Sequence, residues 1–395
     1  MAEQLISPAA DANARGLAAR IVSIAGALVA AALIIAGLGI IRDADGPASV
    51  YAVLLDLAGQ ATTAAGIRED GVDPLHAKLT VMVIALVIGI AGIWALYAGL
   101  NAATDLLGRR WSGRVRPYVF IAPAVVLLVG YLVIPAIATI VASFTEPGAP
   151  DKTWGFVLAS PDMWLAFRNN LIWIVIGTGG SVLLGLAFAG LFDRIKREAL
   201  AKVFVFLPLA ISMVGAAVIW RFMYYWKPAG EEQTGLVNAV IAGFGGTPRQ
   251  WLQVSDPPIN TLLLIVIMIW LQTGFAMVVL SAALKGVSSE VLEAARIDGA
   301  SERQVFFRVV IPLIRGTLLA VGTTVAIAIL KVFDIVYVMT GGRFETEVMA
   351  NRMFAEMFTY GNFGRAAAIA VVLFLAVVPI MILNIRNQRR QGLAS

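Results

Sequence analysis

The residues best placed to act on another protein lie in one polar stretch, 288–312, between two strongly apolar runs. The stretch contains Glu293-Ala294-Ala295 and Asp298-Gly299, and it ends at Pro312. Glycine takes a positive φ at low energy, so Gly299 can end one short helix and let a second begin. The spacing therefore predicts a rigid, charged helical projection. Such a projection can fit into the cleft of a partner protein.

Capping signals divide this stretch into two predicted helices. Ser288 and Ser289 can cap the first helix, and Ser301 with Gln304 has the spacing of a capping box for the second. Pro312 marks the entry into the next apolar run, where a missing N–H matters least. The alternative is an ordinary amphipathic loop between two membrane spans.

Composition places the chain among helical membrane proteins. Of the 395 residues, 59% are hydrophobic and 14% are charged, and the mean hydropathy is +0.85, whereas soluble domains carry about 25% charge. Cysteine is absent and His76 is the single histidine, which excludes disulfides, thiolate metal sites and multi-histidine metal sites. Lys and Arg cluster at the ends of apolar runs, which indicates membrane topology and not nucleic-acid binding.

About eight membrane spans are predicted, each near the roughly 20 residues that cross a hydrocarbon core. Lys and Arg are enriched in alternate connecting segments, so both termini and the stretch 288–312 are expected on the cytoplasmic side. Residues 1–116 would form an N-terminal extension with two spans and an external acidic loop, and 117–395 the main transmembrane domain. The predicted spans are roughly 21–41, 79–100, 118–143, 171–192, 203–225, 260–284, 314–338 and 366–385.

The polar stretch resembles the EAA loop of permease subunits from bacterial ABC importers. The similarity extends over about residues 117–390 and is to carbohydrate importers of the maltose type. The segments 167–173, 270–277 and 331–342 resemble the alpha-glucoside permeases. The resemblance implies an all-α polytopic membrane protein, in which a six-helix type I permease core follows two extra helices.

The resemblance also implies a function and a set of partners. The expected function is oligosaccharide import by a subunit that is not itself an enzyme, and the matching segments imply alpha-glucosides as the substrates. No G-x-x-x-x-G-K-[ST] motif is present, so ATP and Mg²⁺ are expected in two separate ATP-binding cassette subunits. A second permease subunit, an extracytoplasmic sugar-binding protein and lipid of the bacterial cytoplasmic (inner) membrane complete the expected partners. The residues expected to couple to the ATPase are Glu293, Ala294, Ala295, Asp298, Gly299 and Pro312.

Polar and aromatic residues inside the predicted spans are candidates for the sugar path. Trp270 and Phe275 can stack on sugar faces, or they can simply pack in the core. Lys331 and Asp334 are three residues apart on one predicted helix, where they either neutralise each other or line the path. The predicted path comprises Trp270, Gln272, Thr273, Phe275, Lys331, Asp334 and Tyr337.

Two other functions remain as alternatives. A secondary active transporter driven by an ion gradient would place several ionisable groups in its spans, and Asp334 is the only acidic residue in the predicted ones. A membrane-embedded enzyme needs clustered catalytic groups in its spans, which the sequence lacks. No catalytic residue, metal ligand or cofactor is therefore predicted in this chain.

Overall fold

The described part of the chain is helical. Among these residues the backbone forms helices and the turns and loops between them, with no β-strand, so the predicted all-α fold is confirmed. Contacts divide the chain into one compact unit that ends at Ala136 and a second that begins at Ile137. The predicted span 21–41 and part of 79–100 lie outside the described residues. The computed structural model describes residues 86, 90, 92–94, 96–102, 104, 109–145, 150–193, 195–228 and 230–392.

From Arg109 onward the helices follow one another with short connections. Four of them run into a π-helical turn, at Val129–Val133, Trp173–Gly177, Val305–Val310 and Ala355–Thr359. The α-helices are α1 (Arg109–Leu128), α2 (Ile134–Thr145), α3 (Pro150–Ala159), α4 (Pro161–Ile172), α5 (Thr178–Phe192), α6 (Glu198–Phe206), α7 (Met213–Met223), α8 (Leu236–Gly243), α9 (Ile259–Lys285), α10 (Ser289–Ile297), α11 (Glu302–Gln304), α12 (Ile311–Leu330), α13 (Asp334–Met339), α14 (Met349–Phe354) and α15 (Phe363–Gly392).

Five helical stretches of the described residues are long and apolar enough to cross a membrane. A sixth crossing exists if the bent pair formed by α6 and α7 is one broken span. These stretches confirm a polytopic membrane fold. They do not test the predicted count of eight spans, because most residues of the two N-terminal spans are not among the described residues. The five stretches are Gly113–Thr145, Pro161–Phe192, Ile259–Lys285, Glu302–Leu330 and Phe363–Arg386.

The predicted span 203–225 is not a straight helix. It consists of Glu198–Ala210 and Met213–Met223, which are bent by 102° relative to each other. Pro208 lies in the 3₁₀ turn that ends the first half. Ser212 then caps the second half, since its Oγ accepts the N–H of Gly215 at 3.0 Å. Both halves are apolar, so hydropathy alone does not reveal the bend.

The helix α9 forms the centre of the core, and glycines set its distance from two neighbours. A β-carbon at Gly185 of α5 would lie 2.5 Å from the Cβ of Ala276 in α9. A β-carbon at Gly274 of α9 would lie 2.5 Å from the backbone oxygen of Val205 in α6. Small residues let membrane helices approach closely, and α9 is therefore held firmly against both α5 and α6.

The predicted span 314–338 is wrong in its last third. The helix α12 ends at Leu330, and α13 begins only at Asp334. Phe333 breaks the helix between them, with a φ of −135° and a ψ of −60°. The sequence predicts that Lys331 and Asp334 share one helical face. In the structure they lie on either side of the break, so this prediction is wrong.

Candidate functional site

The helix α10 is defined at both ends by its own sequence. A serine side chain accepts a backbone N–H at its start, as the capping pattern predicts. At its end two backbone bonds form a Schellman motif, in which Gly299 has a φ of 82°. The predicted caps are confirmed by the bonds Glu290 N–H to Ser288 Oγ (3.2 Å), Gly299 N–H to Arg296 O (3.0 Å) and Ala300 N–H to Ala295 O (3.1 Å).

A second capped helix holds α10 in place. The capping box predicted for Ser301 and Gln304 is present, with the Ser301 N–H 2.8 Å from Gln304 Oε1. Arg296 Nε of α10 donates to Glu302 Oε1 at 2.7 Å, and this hydrogen bond raises the pKa of Arg296. Because Glu302 starts the continuous helical stretch Glu302–Leu330, the bond connects α10 directly to a candidate membrane span.

The surface of α10 is suited to contact a partner. Ile297 is 85% exposed, and an apolar side chain surrounded by polar groups is the usual centre of a protein contact. Pro312 is exposed too, and it lies in the first turn of α12. Of the other predicted coupling residues, Glu293, Ala294, Asp298 and Gly299 are exposed and Ala295 is half-buried.

A charged network, here called the Lys202 cluster, lies where three helices end. It consists of Asp193, Glu198, Lys202, Ser281 and Lys285. The Nζ of Lys202 donates to Asp193 Oδ1 at 2.9 Å and also to Glu198 and Ser281. Lys285 donates to Glu198, and Ser281 donates to Asp193 at 2.9 Å. The cluster joins the ends of α5 and α9 to the start of α6, and α9 leads directly into the capping serine of α10.

Sequence reasoning missed this cluster. The signal was present, because an acidic residue follows one apolar run and a lysine ends another. Charges at the ends of spans are usually solvated, however, and only the fold shows that these side chains bond one another across helices. The side chain of Lys202 is only 17% exposed, so water does not replace its partners easily.

We expect Lys202→Met to destabilise the folded protein. The substitution leaves the Asp193 and Glu198 carboxylates close together with Lys285 as their remaining cation, and hydrogen bonds to charged groups are worth about 1.5–3 kcal/mol. The midpoint of thermal unfolding in detergent should fall, while Lys202→Arg should retain most of the stability. Lys196→Met is the matched control, since Lys196 is exposed on the same connection. Equal midpoints for the Lys202 and Lys196 variants would contradict the role of the cluster.

Asn170 joins two helix termini at the C-terminal end of α12. Its Nδ2 donates to the carbonyl of Leu330, the last residue of α12, at 3.1 Å. Its Oδ1 accepts the N–H of Met349, the first residue of α14, at 2.9 Å. Helix ends leave such groups without an intrahelical partner, and Asn170 is only 2% exposed. Sequence reasoning missed this role, because no local signal reveals partners 160 and 179 residues away.

Two further buried asparagines hold the loop between α13 and α14. Asn169 donates to the carbonyls of Glu345 at 2.7 Å and Glu347 at 2.8 Å. Asn260 donates to the carbonyl of Phe344 at 2.6 Å. Phe344 and Glu345 have positive φ values of 56° and 58°, a conformation that surrounding structure must enforce in residues other than glycine. The asparagine bonds provide that enforcement.

This loop borders a cavity of about 440 Å³, here called the loop pocket. Within it Glu347 Oε1 accepts the Asn351 Nδ2 at 2.6 Å and the Val348 N–H at 3.1 Å. Burial raises the pKa of Glu347, although these two hydrogen bonds oppose the shift. Within the described part of the chain, no group of three or more His, Cys, Asp or Glu side chains is arranged to hold a metal ion. The pocket is lined by Tyr337, Gly341, Gly342, Arg343, Glu347, Asn351, Phe354, Ala355, Thr359 and Tyr360.

An aromatic group separates the loop pocket from a second cavity. Tyr337 stacks on Phe333 with ring centroids 5.0 Å apart, and Phe354 lies 5.2 Å from Tyr337. The second cavity, of about 550 Å³, has almost entirely apolar walls and includes Lys331. Of the predicted path residues, Tyr337 thus lines one cavity and Lys331 the other, while Asp334 lines neither of the two.

The four predicted path residues on α9 lie in or beside the core. Trp270 meets Trp220 edge to face at 5.8 Å, and Phe275 is half-buried against the core. Thr273 is buried, and its hydroxyl donates to the Ile269 carbonyl at 2.6 Å. Gln272 is half-buried. None of the four lines either of the two cavities.

Two relatives are similar to this chain over most of its length. The osmoprotective compounds uptake permease protein GgtC of Synechocystis sp. is 51% identical over 276 residues, which cover 69% of this chain and 98% of that protein. The alpha-glucoside transport system permease protein AglF of Rhizobium meliloti is 41% identical over 334 residues, which cover 81% of this chain and 99% of that protein.

A solved structure shares the fold, and a family model identifies the family. The bacterial alginate ABC transporter, crystallised with an alginate pentasaccharide-bound periplasmic protein, contains a chain with a TM-score of 0.60 and 21% identity, covering 72% of this chain and 98% of that one. These comparisons give no support to an ion-driven secondary transporter. Residues 181–391 match the family described as "Binding-protein-dependent transport system inner membrane component". The chain belongs to this family and is an integral inner-membrane permease component of an ABC importer.

Proposed function

We propose that this permease subunit imports neutral oligosaccharides of the alpha-glucoside class. The observation that carries the proposal is the 41% identity to the alpha-glucoside permease AglF over 81% of the chain. The relative GgtC, at 51% identity, is named for osmoprotective compounds. Trehalose and sucrose are alpha-glucosides that also act as osmoprotectants, so they satisfy both names, and they are the substrates to test first.

The coupling of ATP hydrolysis to transport is the role proposed for α10. We propose that the helix docks in a cleft of an ATP-binding cassette subunit, with Ile297 at the centre of the contact. Closure of two such subunits around ATP would move α10, and the Arg296–Glu302 bond would pass this motion to the span Glu302–Leu330. The fixed caps support this role, because a frayed helix would absorb the motion. The proposed contact residues are Glu293, Ala294, Ala295, Asp298 and Gly299, and Pro312 begins the span that follows.

The proposal requires several partners that this chain does not replace. Two ATP-binding cassette subunits bind ATP and Mg²⁺, and a second permease subunit completes the transmembrane path. A sugar-binding protein delivers substrate from outside, in keeping with a family described as binding-protein-dependent. Both termini and α10 lie in the cytoplasm in this arrangement, and the loop pocket lies on the outer side.

The sugar path is proposed to run from the loop pocket toward the middle of α9. Tyr337, which is 50% exposed, offers an aromatic face at its outer end. Gln272 offers an amide with donors and acceptors for hydroxyls. Trp270, Thr273 and Phe275 shape the wall behind Gln272, and Lys331 and Asp334 flank the helix break near the outer end.

Reconstitution tests the function directly. Proteoliposomes that contain this chain, its second permease and the ATP-binding cassette subunits should accumulate labelled trehalose or sucrose when ATP and the binding protein are supplied. Hydrolysis-deficient cassette subunits should abolish uptake. Accumulation driven by a proton gradient without ATP would overturn the proposal.

The proposed orientation predicts a clean labelling pattern. The chain has no cysteine, so a single introduced thiol reports one position. In membranes that contain this chain without the cassette subunits, which would cover the site, Ile297→Cys should react with a membrane-impermeant maleimide only from the cytoplasmic side, in inside-out vesicles. Phe244 is 90% exposed in the segment before α9. The thiol of Phe244→Cys should react from the outer side of the membrane, in intact spheroplasts. The reverse pattern would invert the orientation, and permeabilised membranes, in which both thiols should react, control for access.

A further inference from the structure

We propose that the loop pocket is a saccharide-binding subsite at the outer end of the path, distinct from the α9 segment around Gln272. The inference rests on the proposed function and adds a location and a mode of recognition. The pocket would bind one neutral sugar ring between an aromatic side and a polar side. Its volume of about 440 Å³ lies within the roughly 300–1,000 Å³ of ligand pockets.

The backbone of the loop shapes the pocket. Gly341 and Gly342 have φ values of 62° and 77°, in the region that glycine adopts without strain. A β-carbon at Gly342 would lie 2.7 Å from both Asn351 Nδ2 and Glu347 Oε1. Glycine at this position therefore leaves the polar side of the pocket open, and buried asparagines outside the pocket fix the residues that follow.

The polar side presents fixed acceptors and one donor group. Glu347, which lines the pocket, accepts hydrogen bonds from Asn351 and from a backbone N–H through Oε1, and its Oε2 is a further acceptor. The same bond orients Asn351, whose Oδ1 is a second acceptor. Arg343 lines the pocket with an exposed guanidinium. Two acceptors and an exposed planar donor suit the neighbouring hydroxyls of a sugar ring.

The aromatic side presents exposed ring surface. Tyr337 and Tyr360 are 50% and 58% exposed, and Phe354 lies beside Tyr337. Contacts with Phe333 and Phe354 hold the ring of Tyr337 in place. An aromatic face carries partial negative charge and attracts the weakly positive C–H groups on one side of a sugar ring.

These features select a neutral polyol over other ligands. One cation and one anion line the pocket, so it has no excess of charge that would favour an acidic or a basic ligand. The second cavity behind Phe354 is apolar apart from Lys331 and offers no comparable set of hydrogen bonds. Of these two cavities, the loop pocket is therefore the one that suits a glycoside.

Uptake kinetics in the complete reconstituted transporter test the assignment. Glu347→Gln and Tyr337→Ala should each raise the KM for labelled trehalose about tenfold or more, the effect of losing a charged hydrogen bond or an equivalent contact. Glu345→Gln is the matched carboxylate control, since its side chain is exposed and does not line the pocket. Phe244→Ala is the matched aromatic control.

Protection of a thiol from maleimide tests binding separately, in case the pocket variants fail to assemble into the transporter. In Arg343→Cys the thiol should react with a maleimide, and trehalose should slow that reaction, whereas it should not protect Phe244→Cys. Unchanged KM values in the pocket variants, or no protection at position 343, would overturn the subsite while wild-type uptake persists. If the wild-type transporter takes up no glycoside at all, the proposed function fails instead, so the two failures are distinguishable.

Discussion

Gly299→Val is expected to uncouple ATP hydrolysis from sugar uptake. Gly299 has a φ of 82°, and the left-handed region costs an L-residue roughly 1–2 kcal/mol, most for a β-branched side chain. Nothing lies within 4 Å of the position where the β-carbon would be, so the cost is backbone strain and not a clash. The Schellman cap would open to relieve it, and α10 would lose its fixed angle to α11.

The measurement compares uptake and hydrolysis in the same proteoliposomes. A coupling step that loses about 1.4 kcal/mol slows about tenfold, so we expect uptake to fall about tenfold or more while basal ATP hydrolysis and membrane insertion persist. Gly322→Val is the matched control, because Gly322 lies in α12 with no close neighbour and no positive φ. Normal coupling in Gly299→Val, beside a normal control, would remove α10 from the coupling mechanism.

The caps of α10 and α11 show which structural features can be predicted from local sequence. Ser288, Ser301 and Gln304 cap the helices they were expected to cap, and Gly299 has the expected positive φ. Each of these bonds joins residues a few positions apart. Their geometry is therefore fixed by side-chain chemistry within one turn, and tertiary packing has little to override.

The breaks inside apolar runs show the opposite case. Hydropathy is continuous from α12 into α13, and it predicts one span where the helix ends at Leu330. The break is stable because Asn170, from a different helix, bonds the freed carbonyl. The 102° bend between α6 and α7 had local signals, Pro208 and Ser212, but neither residue interrupts the apolar pattern. Long-range partners decide these features, and a single sequence does not name them.

The same reasoning applies to the candidate sugar path. Residue type alone selected Trp270 and Thr273, which the fold uses for packing and for a bond within α9. Tyr337 lines a cavity together with Glu347 and Asn351, which come from the next connection and helix. A run of positive φ values in the loop brings these groups together. From the sequence, a positive φ could be predicted only for the glycines of the loop and not for its other residues.

Asn170→Leu is expected to destabilise the part of the protein where α12 ends and α14 begins. The substitution leaves the Leu330 carbonyl and the Met349 N–H buried without a partner, and each such group costs about 1–3 kcal/mol. For a domain of this size each kcal/mol lowers the unfolding midpoint by roughly 2–4 °C, so the loss of both bonds should lower it by about 5 °C or more in detergent.

Two companion variants separate the bonds from the side-chain volume. Asn170→Asp retains an acceptor for Met349 but cannot donate to Leu330 when ionised, so it should also be destabilised. Arg168→Ala, two residues away, removes a half-exposed ion pair with Glu345 and a long hydrogen bond to Asn169 Oδ1. It should change the midpoint little, since exposed ion pairs contribute about 0–1 kcal/mol. If Asn170→Leu unfolds at the same temperature as Arg168→Ala, the helix break must be held by packing alone. If it unfolds earlier, one buried amide accounts for why α12 stops where its apolar sequence would continue.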